Sequence, residues 1–199
     1  MGVKKQIRIL GIDDGHFNRG TDESVLVVGV VFRGSDYLDV VLSTRVEVDG
    51  TDATIKLIKL INESRTKEQL RFVMLDGIAL GGFNVVNINA IYENTKVPVI
   101  VFMREMPDMP AIQNALKHFE DGELRYNLIL KAGKIFECEI NNKAVGRKEK
   151  VFFQVAGADE KTAKDVLKLT CKNSLVPEPL RVAHLIAQGI VFGESKGRA

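Results

Sequence analysis

The chain has 199 residues, of which 45% are hydrophobic and 27% charged, with a formal net charge of +2. Such a composition excludes a disordered or collagen-like chain and suits a globular protein with a full core. No apolar run is long enough to span a bilayer, and the basic start, Met1 to Arg8, leads straight into a strand pattern rather than a signal peptide.

The expectation is therefore one domain over residues 1–199, in the cytoplasm and off the membrane. Cys138 and Cys171 fit no metal or redox spacing and read as buried thiols. The weak net charge permits a nucleic-acid partner without arguing for one.

Gln6 to Ile12 alternates in the manner of a first strand and runs into Asp13-Asp14-Gly15-His16-Phe17, then a polar loop over 18–24. Val25 to Phe32 is a continuously apolar second strand. Arg33 to Asp36 is a turn, and Leu38 to Glu47 a third strand of β-branched residues. Three strands joined by short polar loops predict an antiparallel meander. A helix follows, capped by Thr51 or Asp52, with Ala53, Leu57, Ile58 and Ile61 as its apolar stripe.

Phe72 to Leu75 is apolar throughout, as in a strand buried on both faces. It stops at Asp76 and a turn containing Gly77, Gly81 and Gly82. A helix is predicted from about Phe83 to Asn94, and another strand over Val97 to Phe102, ending at Arg104-Glu105. Pro110 suits the first turn of a helix through Lys117. The alternation adds parallel strands and covering helices to the meander. Farther on, Tyr126–Leu130 and Lys134–Ile140 read as a hairpin turning at Ala132-Gly133. Asn141 to Lys150 reads as an exposed basic loop and Val151 to Val155 as a final strand. Helices over Asp159–Lys172 and Pro179–Phe192 close the chain.

Asp13 and Asp76 each end an apolar strand. In open α/β sheets ligands bind beyond the carboxyl ends of strands, so Asp76 is either a site residue or a cap of its own turn. Gly77, Gly81 and Gly82 would let a ligand or another backbone approach closely. If the first and fourth strands are neighbours, the two carboxylates converge, and such hard oxygen ligands suit Mg²⁺ or Mn²⁺. The competing reading of Asp13 is a turn residue beside Asp14 and Gly15. Asp52 reads locally as an N-cap, and among Glu47, Asp49 and Asp52 the sequence does not choose a third ligand. His16 lies in the loop after Asp13, His118 reads as surface, and His184 as a helical structural residue. Lys161, Lys164, Lys168 and Lys172 share a helix face that reads as solvated. No P-loop, dinucleotide fingerprint, zinc spacing or nucleophile elbow is present.

Taken together, Gly11-Ile-Asp13-Asp-Gly15, Leu75-Asp76-Gly77, Pro98 to Arg104 and Val176-Pro-Glu-Pro-Leu-Arg-Val-Ala-His184 resemble endonuclease V in order and spacing. Val48 to Thr54 and Leu75 to Asn87 are more closely similar to an uncharacterised family distantly related to that enzyme, a likeness spanning nearly the whole chain. The resemblance implies an RNase H-like mixed sheet: a three-strand antiparallel meander plus parallel strands, flanked by helices, with an added C-terminal hairpin and helices.

It also implies a Mg²⁺- or Mn²⁺-dependent phosphodiester hydrolase acting on DNA or RNA, with deaminated bases among its candidate targets. By position, Asp13, Asp76 and Asp52 would be metal ligands, Arg104 would neutralise phosphate, and His184 would complete the site. Gly77, Gly81 and Gly82 would receive a flipped base. The chain departs from endonuclease V at Arg45 to Gly50, where that family carries a Pro-Tyr wedge, and at Ile78 to Gly82, where it carries a histidine. The alternative function is a catalytically inactive nucleic-acid-binding module of the same fold. A homo-oligomeric scaffold would need apolar surface that sequence does not display.

Overall fold

The computed structural model describes residues 5–142, 146–172 and 174–195. Its centre is a seven-stranded mixed sheet in the order β3-β2-β1-β4-β7-β9-β8. The meander is β1 (Arg8–Asp14), β2 (Ser24–Arg33) and β3 (Tyr37–Glu47), paired antiparallel. Next come helix α1 (Ala53–Asn62), strand β4 (Leu70–Asp76) and a two-stranded ribbon of β5 (Ala79–Leu80) and β6 (Asn84–Val85). Helix α2 (Ile88–Thr95), β7 (Val99–Met103), α3 (Met109–Leu116) and α4 (Gly122–Lys131) follow. The chain ends with β8 (Phe136–Asn142), β9 (Arg147–Ala156), α5 (Glu160–Thr170) and α6 (Glu178–Phe192).

β4 lies parallel to β1, with Ile12 opposite Leu75, so the carboxylates that end these two strands are neighbours. β7 extends the parallel part on the far side of β4, with Asp76 opposite Phe102. Both sheet faces are covered, which is why β1, β2 and β4 are apolar at nearly every position. On one face Leu10, Ile12, Val73 and Leu75 pack with Leu57 and Ile61 of α1 and Ile91 of α2. On the other, Ile9, Met74, Ile100 and Phe153 pack with Val166 and Leu167 of α5 and Leu180 of α6.

Three local expectations are corrected. The expected hairpin at 126–140 is helix α4 followed by β8: Tyr126–Leu130 is helical, and Gly133, at φ 91°, turns the chain between helix and strand. Packing decided this, since Ile129 is buried against Val85 and Leu116. A short apolar run carries no period that separates the two states. The helix expected from Phe83 begins at Ile88, after β6, because Asn87 caps it by accepting from the amide of Ala90. The expected basic loop at 141–150 is mostly strand, as β8 and β9 pair out to Asn142 and Arg147; its positions 143–145 lie outside the described residues.

Helix α6 approaches β1 so closely that one glycine is required. A Cβ placed on Gly11 would lie 2.5 Å from the carbonyl carbon of Pro179. This approach sets the height at which α6 crosses the sheet, and so where His184 lands. Gly11→Ala should therefore destabilise the fold by about 1–3 kcal/mol, as overpacking does. Thermal denaturation should show a loss of about 2–4 °C per kcal/mol for a chain of this size.

Candidate acidic active site

Asp13 is the penultimate residue of β1 and is only 5% exposed. Its Oδ2 lies 2.8 Å from Nδ1 of His184, which α6 brings across the sheet. Its Oδ1 accepts from the amide of Asp14 at 2.9 Å. On the far side of the imidazole, Nε2 of His184 lies 2.8 Å from the side-chain nitrogen of Gln188, one helical turn on. A neutral ring with its proton on Nδ1 satisfies both contacts: it donates to the carboxylate and accepts from the amide. The Gln188–His184–Asp13 chain is thus a directed hydrogen-bond relay ending on an acid.

Asp76 ends β4 beside Asp13 and lines the same cleft, a hollow of ≈ 350 Å³ that also takes in Asp14, His16, Gln188 and Phe192. Burial pushes the Asp76 carboxyl up to about 7, and the charge of Asp13 pushes the same way. The charge of Arg104 pulls it down, as does that of His184 when its ring is protonated. Asp14 is likewise raised, to about 6, mainly by burial and partly by Asp13, against the pull of the Gly81 amide, which donates to its Oδ2 at 2.6 Å. Like charges crowded in a low dielectric resist ionising together. A cation entering the cleft would relieve that resistance.

Of the residues singled out from sequence, Asp13, Asp76 and His184 come together in the cleft. Arg104, exposed just beyond β7, is near enough to act electrostatically on Asp76. Asp52 is not among the cleft-lining residues. It makes no side-chain cap either; its Oδ1 accepts from the amide of Glu47 at 3.1 Å and from buried Asn84 at 2.7 Å. Asp49, at φ 54°, accepts from the amide of Phe83. These acids brace the joint between β3, α1 and the β5–β6 ribbon.

Gly77, Gly81 and Gly82 also stand outside the cleft lining. All three have positive φ. At the last two, a side chain would collide with Val25 and Asp49, so the crowding there comes from the protein itself. Sequence reading missed Asp14, Gln188 and Phe192 as members of the cleft. Asp14 was hidden by alternation, which sends adjacent strand residues to opposite faces. Gln188 carried a usable signal, four residues after His184 on one helix face.

The donor set is a buried and a half-buried carboxylate backed by a histidine, and among the described residues no three Asp, Glu, His or Cys side chains form a ready metal cage. That suits Mg²⁺, which keeps several waters and is commonly held by one or two carboxylates plus substrate phosphate. A larger hollow of ≈ 410 Å³, lined by Lys148, Lys168 and Lys172, offers no such pair of acids.

The profile of the endonuclease dU family matches residues 5–191. A UPF0215 protein of Methanosarcina acetivorans is 50% identical over 197 residues, covering 99% of this chain and 97% of that protein. A crystal structure of a protein of unknown function from Archaeoglobus fulgidus is similar with a TM-score of 0.82 at 37% identity, covering 94% of this chain and 100% of that one. Endonuclease V of Ciona intestinalis, solved with a 24mer DNA containing an inosine followed by a ribo-adenosine, has a TM-score of 0.54 at 14% identity, covering 90% of this chain and 83% of that one. The fold is thus the RNase H-like one of endonuclease V.

The raised acids make a prediction about the protein without metal. The folded state holds the Asp76 proton more tightly than the unfolded chain does, so stability falls as pH rises from 3.8 to about 7. Asp76→Asn should reduce that slope, leaving the share of Asp14, and should raise the melting temperature at pH 8 more than at pH 5. Melting curves of both proteins at the two pH values check it.

Proposed function

The chain belongs to the endonuclease dU family, and from that premise we propose that it is a divalent-metal-dependent nuclease hydrolysing a phosphodiester of DNA or RNA, with deaminated bases as its targets. The observation that carries the reading is the meeting of buried Asp13 and half-buried Asp76 at adjacent strand ends, with His184 bonded to the first. Such a pair, held at a cost in a partly open cleft, serves no packing purpose.

Asp13 and Asp76 would hold Mg²⁺ or Mn²⁺, which when bound supplies Lewis-acid stabilisation of phosphate charge and lowers the pKa of bound water. The protein's own groups do the rest. His184 fixes the orientation of the Asp13 carboxylate through Nδ1–H, and Gln188 fixes the ring in turn. Arg104, near enough to act electrostatically on Asp76, would offset the charge of an incoming phosphate. Hydrolysis is then attack of water on phosphorus with loss of one ester oxygen as a hydroxyl.

The test is cleavage of oligonucleotides carrying uracil, inosine or neither, as DNA and as RNA, with Mg²⁺ or Mn²⁺. Wild type should cut, and Asp13→Asn and Asp76→Asn should each lose at least about 100-fold, the scale of removing one electrostatic group from an active site. Full metal-dependent cleavage by Asp76→Asn would end this reading. Calorimetry separates it from a module that binds nucleic acid without catalysis. The nuclease should take up Mg²⁺ or Mn²⁺ at millimolar concentration and lose that uptake in Asp76→Asn. Salt-sensitive oligonucleotide binding without metal uptake would favour the module.

A further inference from the structure

Helix α6 outruns its own core. Its buried contacts end at Ala187, yet Ile190, Val191 and Phe192 follow, with 64%, 41% and 53% of their surface exposed. Gly193, at φ 77°, stops the helix immediately after Phe192 and fixes where that ring stands. It stands on the rim of the acidic cleft, with its centroid 5.0 Å from that of exposed His16 and the planes tilted by 41°. The His16 loop is itself anchored: the amide of Gly15 donates to Leu26 at 2.8 Å, and Gly15 lies against Val191.

A second hollow, of ≈ 450 Å³, is lined by Val191, Arg45 and His16, so His16 borders both hollows. Its charge is mixed, because Asp22 and Glu23 line it together with Arg45, which is bonded to Ser24. A sugar-phosphate chain therefore gains little from charge along this path. What the rim offers a strand is ring faces. Exposed aromatic faces next to a phosphate-directed site are the means by which single strands are held without sequence reading.

We propose that Phe192 and His16 form a stacking platform for an unpaired nucleobase next to the scissile phosphate, so that the substrate must present a single-stranded or extruded base at this rim. The proposal rests on the nuclease reading above. A duplex with all bases stacked cannot reach the platform, whereas a strand with an open base gains contact there.

The chain contains no tryptophan, so Phe192→Trp places a lone indole on the platform. Its emission should be quenched by a short single-stranded oligothymidylate and far less by an abasic oligomer of the same phosphate count. In parallel, fluorescence anisotropy of a labelled single strand should show Phe192→Ala and Phe192→Leu binding at least about 5-fold more weakly than wild type, while Phe192→Tyr binds nearly as well. Equal quenching by both oligomers, or wild-type affinity in Phe192→Leu, would overturn the platform and leave the nuclease reading standing. A wild-type protein that binds no strand at low salt would remove the nucleic-acid reading, and the platform with it.

Discussion

Two carboxylates stand side by side at the ends of adjacent parallel strands, and much of the architecture around them keeps them there. Ile9 to Ile12 of β1 and Phe72 to Leu75 of β4 lead apolar into Asp13 and Asp76, so the sheet cannot shift register to release the acids without exposing its core. Helix α6 closes over them because Gly11 lets Pro179 descend onto β1. Without that approach, His184 would stand off from Asp13. The destabilisation is local and the compensation is global, which is the usual arrangement where function needs groups that folding would reject.

The most informative signal in the sequence was a charge where a buried strand should have stayed apolar. Asp76 follows Phe72 to Leu75 with no apparent gain for the core, and the structure places it beside Asp13. The meander and the alternation of strand and helix were legible for a related reason: their periods are long enough to be unambiguous. Tyr126 to Leu130 was not legible. Five residues with apolar tips fit a strand or a helix equally, and only the docking of Ile129 onto Val85 and Leu116 decides. Phe192 was hidden differently, because a terminal apolar residue on an amphipathic helix looks like core until the fold shows it half exposed.

Asp52 and Asp49 show the limit of reading acids as ligands. Both lie near a strand end, as Asp13 does, yet each is bonded to backbone or amide groups of a neighbouring segment. Arg125 completes this brace, donating to the carbonyls of Asp49 and Phe83. The difference lies in what surrounds the carboxylate. N–H donors that point at an acid stabilise its charge and occupy its lone pairs, as they do at Asp13, whereas desolvation and the neighbouring charge of Asp13 push the Asp76 carboxyl up. Desolvation beside a like charge sets Asp76 apart from the braces.

That distinction bears on how the cleft would work. Two carboxylates cannot fill the coordination shell of a hard divalent cation, and the nearest further acid, Asp14, already accepts from the Gly81 amide. Asp13 and Asp76 would hold such a cation only in part, leaving water and substrate phosphate to supply the remaining oxygens. The strand in turn needs an anchor that does not compete for the cation. Ring faces on the rim meet that need, since stacking adds affinity without adding a ligand or a charge. Under the proposed reading the acids would select for phosphate through the cation and the rim for an unstacked base, so that neither alone would retain the substrate.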